Sequence, residues 1–226
     1  MFELFRAGGP LMWVILLCSL VALTIIFERL YSLRPSRIVP ANLRDQINDL
    51  VTTNSVTHEK IQLVREHSPL GQVYAAGLSN ISHGTDEMKH ALEESGRQVV
   101  HRLSRYLNAL GTIASITPLI GLLGTVIGMI KVFTAITANG VGDPTVLSGG
   151  ISEALITTAA GLSVGIPCLM FYRFLRNKVN ELTVSLEEHA TSLVDTVKTI
   201  QMSSKPTISR TSTKTKKKVT SSSEKR

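Results

Sequence analysis

Residues 149–172 read GGISEALITTAAGLSVGIPCLMFY, an apolar run that carries a single acidic or basic residue, Glu153. A helix needs about 20 predominantly apolar residues to cross roughly 30 Å of hydrocarbon, and this stretch supplies them. A carboxylate at membrane depth is expensive, about 2.5–3.5 kcal/mol for the comparable Asp at a helix centre. Something must offset that cost.

Two more runs of the same kind lie upstream. Residues 11–27 and 107–130 contain no charge at all. The chain is therefore expected to be an all-α integral membrane protein with three transmembrane helices. A cleaved signal peptide is the alternative for the first run. Arg6 is balanced by Glu3, and no A-x-A-like site precedes Glu28 and Arg29, so a retained anchor is expected.

The positions of Lys and Arg orient the spans. Arg29, Arg34, Arg37 and Arg44 follow span one, Arg97, Arg102 and Arg105 precede span two, and Arg173, Arg176 and Lys178 follow span three. Residues 137–148 carry neither Lys nor Arg. The positive-inside rule then places the N-terminus outside and the C-terminus in the cytoplasm. The expected organisation is an outer N-terminus with span one (1–33), a cytoplasmic helical region (34–105), span two (106–136), a short outer loop (137–148), span three (149–172), a cytoplasmic helix (173–202) and a basic tail (203–226).

The cytoplasmic parts read as helices. Apolar residues recur at Leu43, Ile47, Leu50 and Val51 and again at Ile61 and Val64; Pro69 and Gly71 read as a break, residues 73–81 resume, and residues 82–85 make a turn. From Thr85 as N-cap, with Asp86 and Glu87 in the first turn, one helix is expected to run unbroken into span two. Beyond Tyr172 the stripe Leu175, Val179, Leu182, Leu186, Leu193, Val197 and Ile200 continues span three. A helix from Pro144 to Met202, started by Asp143 as cap, would be about 90 Å long. Spans two and three should thus extend into a cytoplasmic helical bundle.

Composition excludes several classes. Much of the net charge of +7 sits in the tail, where Lys205, Arg210, Lys214, Lys216, Lys217, Lys218, Lys225 and Arg226 alternate with Ser and Thr. Such a segment is expected to be disordered, either solvated or drawn to anionic lipids at up to about 1 kcal/mol per basic residue. No aromatic interleaves with the lysines, which argues against nucleic acid. Cys18 and Cys168 lie within spans without metal-ligand or disulfide spacing. No H-E-x-x-H, phosphate loop or Ser/His/Asp constellation is present, and His58, His67, His83, His90, His101 and His189 all fall outside the spans. No enzyme, metal or cofactor is expected.

Two readings of Glu153 remain. If the helix starts at Pro144, Glu153 lies roughly 13 to 15 Å along it; if it starts after Gly150, the side chain snorkels to the outer surface. Thr157 shares its face, Thr158 is adjacent, and Ala160, Gly161, Val164 and Gly165 are small. Span two offers Thr112, Ser115, Thr117 and Thr125, with Gly121, Gly124 and Gly128 between them. Small residues let helices approach closely and hydroxyls can bridge them. At the deeper position, desolvation disfavours the ionised form, which suits a neutral acid or proton carrier of an intramembrane relay. Lys131, near the outer end of span two, is expected to snorkel or to meet lipid headgroups.

The strings TPLIGLLGTVIGM (117–129) and GISEALITTAAGL (150–162), with Ile166-Pro167 beyond, resemble the ExbB/TolQ/MotA proton-channel family. Three spans and a large loop after the first fit the ExbB and TolQ branches, whereas MotA-type stators have four. The resemblance implies a homopentamer in the bacterial inner membrane whose second and third spans line a pore. That pore would enclose two copies of an ExbD-like single-span subunit, or its TolR counterpart, each bringing an essential Asp. Proton passage would turn one component within the other and pass the motion to a TonB-like or TolA-like transducer. By motif position, Thr125 and Thr158 match pore threonines, Glu153 the family's acidic residue and Pro118 a motif proline. Periodicity nevertheless puts Thr157, not Thr158, on the face of Glu153. An ExbB-like motor subunit is the first expectation, with a TolQ-like motor for outer-membrane integrity or a non-conducting scaffold as alternatives.

Overall fold

The computed structural model describes residues 8–53, 57–140 and 144–204. The expected Asp143 cap, the Glu3 and Arg6 balance and the basic tail from Lys205 onward lie outside the described residues. Among the described residues there is no strand. The helices are α1 (Leu11–Ser32), α2 (Pro35–Ile38), α3 (Ala41–Thr52), α4 (His58–His67), α5 (Pro69–Ser79), α6 (Thr85–Leu103), α7 (Leu107–Asn139) and α8 (Pro144–Ser204), with one 3-10 turn at Ile81–His83. Three stretches, Leu11–Ser32, Thr85–Ala138 and Leu147–Ile200, hold segments long and apolar enough to cross a membrane. This is an all-α membrane protein.

The spans pack as a three-helix group in which α7 lies along α8 and α1 rests on both. Trp13, Leu17, Leu20 and Phe27 on α1, Leu119, Leu122 and Phe133 on α7, and Leu155, Ile166 and Met170 on α8 remain exposed in the single chain. Apolar surface of that extent calls for lipid or neighbouring chains.

Away from the spans, α8 continues beside a hairpin of α5 and α6. Leu70, Val73, Tyr74 and Leu78 of α5 and Met88, Leu92 and Val99 of α6 meet Leu182, Leu186, Leu193 and Val197 of α8 in one buried core, with Leu43, Ile47 and Val51 of α3. Complete burial of each such side chain is worth about 1.5–3 kcal/mol. Burial holds the Tyr74 phenol up to about 12 against the partial opposition of Arg44.

Two local outcomes differ from the sequence reading, each with a cause. Pro69 starts α5 instead of breaking it, because a proline at the first helical position lacks only an N–H that would be orphaned anyway, and the Ser68 hydroxyl accepts from Gly71 N at 3.0 Å. The expected unbroken helix from Thr85 into span two is interrupted between Leu103 and Leu107, where Tyr106 adopts a left-handed φ of 65°. Arg29, only 5% exposed, makes the break possible. Its guanidinium donates to the Leu103 carbonyl at 3.2 Å, an acceptor that the end of α6 leaves open, and adds to the Arg102 carbonyl at 3.4 Å, which also accepts from Arg105 N. It also sits over the Tyr106 ring at 5.4 Å, with Arg105 at 4.8 Å from the same ring, and pairs with Glu28.

Candidate functional site

Glycine makes the contact between α7 and α8 close. A Cβ on Gly161 would come within 2.8 Å of the Thr117 carbonyl and 2.9 Å of the Gly121 Cα. One on Gly121 would meet the Thr158 backbone at 3.1 Å, and one on Gly124 the Thr157 side chain at 2.5 Å. Further along, Gly128 faces Ala154 and the Gly150 carbonyl, while Gly165 faces the Pro118 ring. Pro118 sits inside α7 and supplies no N–H to the preceding turn. The neighbouring Thr117 is fully buried and donates to Ile113 O at 2.7 Å.

Into this contact α8 places Glu153, Thr157 and Thr158. The Thr158 hydroxyl donates across the helices to Gly121 O at 2.8 Å. The Thr157 hydroxyl, 1% exposed, lies 2.7 Å from Glu153 O and 2.9 Å from Gly8 O, so its one proton is shared between two carbonyls. Both threonines therefore belong to the α7–α8 contact within one chain, by different partners. Thr125 lies apart, with its hydroxyl turned back onto Leu122 O at 2.6 Å.

The helix starts at Pro144, not after Gly150, so Glu153 stands about 13 Å along α8. Its partner is Lys131, whose Nζ lies 2.6 Å from Oε1 and 2.7 Å from Oε2. In place of the lone snorkelling cation expected from sequence, Lys131 makes an ion pair. On the other side the carboxylate meets Gly9, where an added Cβ would overlap Oε1 and where φ is +69°. The Glu153 side chain is 20% exposed and that of Lys131 51%. The sequence reading missed Gly8 and Gly9, but a signal for Lys131 was available. It is the one charge within 107–139, just as Glu153 is the one charge within 144–172, and intramembrane charges of opposite sign tend to pair.

No group of three or more His, Cys, Asp or Glu side chains able to hold a metal occurs among the described residues. A cavity of about 890 Å³ opens between α6 and α8, lined by Leu92, Val100, Leu186 and Val194, far along the chain from Glu153. Chemically, the α7–α8 contact offers an ion pair, two hydroxyls and a closely apposed backbone.

Residues 65–188 match the MotA/TolQ/ExbB proton channel family. The chain is 33% identical to the ExbB-like 1 protein of Synechocystis sp. over 76% of its own length and 68% of that protein. It is 26% identical to the ExbB homolog of Methanothermobacter thermautotrophicus, over 79% of this chain and 64% of that one. Against the biopolymer transport protein ExbB of Neisseria meningitidis serogroup A the identity is 28%, over 84% and 93% of the two chains. The matched family segment contains the α7–α8 contact, from Gly121 and Gly124 to Glu153, Thr157 and Thr158, and on these grounds the chain belongs to the MotA/TolQ/ExbB proton channel family.

Proposed function

We propose that this chain is the ExbB-like subunit of a motor in the bacterial inner membrane, driven by the proton-motive force and energising outer-membrane transport. The observation that carries the reading is that the lone acid of span three lies in the glycine-packed contact with span two, beside two threonines. A charge passed down the membrane potential releases about 2.3 kcal/mol per 100 mV, enough to drive a conformational step. Relatives named for biopolymer transport support the ExbB branch over the TolQ branch.

In this reading the bundle faces the cytoplasm and Gly8 to Pro10 the periplasm. Five copies surround two ExbD-like single-span subunits, whose Asp carries the proton. Thr125, Thr158 and Glu153 serve at the pore wall, and a TonB-like transducer receives the motion. Glu153 is a relay or hydrogen-bonding partner there and not the sole proton carrier. The basic tail meets anionic lipid.

The test is uptake of an iron-siderophore complex in cells expressing this chain with its single-span partner, with Glu153→Gln compared to wild type at matched assembly. Uptake that depends on the proton-motive force and fails in Glu153→Gln is the expected result. Equal uptake in both would reduce Glu153 to packing. No uptake from wild type would point to the Tol system or to a scaffold.

A further inference from the structure

We propose that Lys131 is the positioning residue for Glu153: its ammonium holds the carboxylate against the backbone of Gly9, at the end of the spans away from the bundle. The pairing stands on geometry alone, and its consequence for proton-driven work rests on the function proposed above.

Four observations converge. The two groups are the one charge of 107–139 and the one charge of 144–172, and α1, which packs beside both helices, brings none within 11–27. Lys131 Nζ is almost equidistant from the two carboxylate oxygens, at 2.6 and 2.7 Å, so the pair is centred and leaves neither oxygen turned away. The carboxylate lies against Gly9, and one turn on the Thr157 hydroxyl ties the neighbouring Gly8 O to α8. Burial is unequal: Glu153 is the enclosed member and Lys131, 51% exposed, reaches it from the open side. The carboxylate is thus fixed, and the ammonium, on a flexible four-carbon stem, is the member that can leave.

Removing one partner of such a pair strands the other charge. Lys131 therefore sets where the Glu153 carboxylate is held. When Lys131 swings away, Glu153 becomes able to meet another cationic or hydrogen-bonding partner.

Infrared difference spectra of the full chain in lipid vesicles, each sequence against its Glu153→Gln counterpart, read the state of Glu153 with no partner or flux required. Carboxylate bands at the position of an ammonium-bonded group are expected in wild type, nearly the same in Lys131→Arg, and displaced in Lys131→Met, where neither oxygen keeps that bond. A protonated Glu153 in wild type, or carboxylate bands unchanged by Lys131→Met, overturns the proposal. If Lys131→Met does not insert, the doubly neutral Lys131→Met, Glu153→Gln chain should, and its failure to do so also overturns it. In cells, Lys131→Met at matched assembly should lower proton-motive-force-dependent uptake about tenfold, the effect of losing one charged hydrogen bond, with Lys131→Arg restoring it. Uptake equal to wild type in Lys131→Met overturns the positioning role. If the infrared result holds while wild type drives no uptake, the pairing stands and the function proposed above is what fails.

Discussion

Gly9 and Gly140 share a positive φ but not a neighbourhood, and the contrast isolates what each residue does. Gly9 has φ +69° with Glu153 against it; Gly140 has φ +70° with nothing within 4 Å, and closes α7 by donating to Ile136 O at 2.9 Å. With φ 70° and ψ −174°, Gly140 lies in a region essentially confined to glycine, so Gly140→Ala should lower stability by about 1–3 kcal/mol. Gly9→Ala adds overlap with the carboxylate. It should melt at a lower temperature than Gly140→Ala and loosen the turn in which Met12 N donates to Gly9 O, seen as faster amide deuterium uptake there; equal behaviour would argue that Gly9 does not touch Glu153. At this scale the sequence was legible in part. Glu153 announced itself by its cost, and Thr157 by its spacing. Lys131 was visible as a charge, but its partner lies on another helix, and the register between two helices cannot be read from either one alone. Gly9 carried no signal, because its part depends wholly on where α8 lies.

At the scale of the element, the glycines of α7 and α8 set the distance between helices, and the close neighbours of Gly161 are backbone atoms of the Thr117 to Gly121 turn. Backbone on a packed helix cannot swing aside as a side chain can. Gly161→Val should therefore part the two helices, with a stability loss at the upper end of the about 1–3 kcal/mol typical of overpacking. Gly149→Ala, whose Cβ meets nothing within 4 Å, should be close to neutral. Thermal unfolding of the two variants in detergent checks this, and equal melting temperatures would count against glycine-set packing. Periodicity found the helices and the buried stripe of α8 because both are repeating patterns. It did not find the interruption at Tyr106, since Ser104, Arg105 and Tyr106 contain neither Pro nor Gly. Its support is Arg29, far away in sequence, which satisfies the Leu103 carbonyl that the interruption frees.

For the whole molecule, the bundle is tied together by α3, α5 and α6 closing on α8, and Arg44 of α3 donates to Ser192 of α8 at 3.3 Å. His189 lies in this region. Burial, followed by the positive charge of Arg44, lowers it from its ordinary value of 6.5, with Glu188 opposing. The sign follows directly: the unfolded chain binds this proton more readily than the folded one, so stability is complete above 6.5 and falls as the pH drops through the lowered folded value. Melting of the chain in detergent should be lower at about pH 5 than at about pH 7, and His189→Gln should shrink that difference. An unchanged pH dependence would remove His189 from the acid response. The general layout was open to sequence reasoning because membrane spans and a long amphipathic stripe are strong, repeating signals. The way the hairpin folds back was not, since it depends on which faces meet.

The interruption at Tyr106 also gives the molecule a mechanical character. Beside it α8 runs for 61 residues without a break, about 90 Å from the Glu153 end to the far tip of the bundle. One member is a strut, while its neighbour has an elbow clasped by a single arginine. A push applied to the bundle is carried to the ion pair along the strut, and sideways play is taken up at the elbow. Load and compliance are thereby assigned to different helices of the same chain.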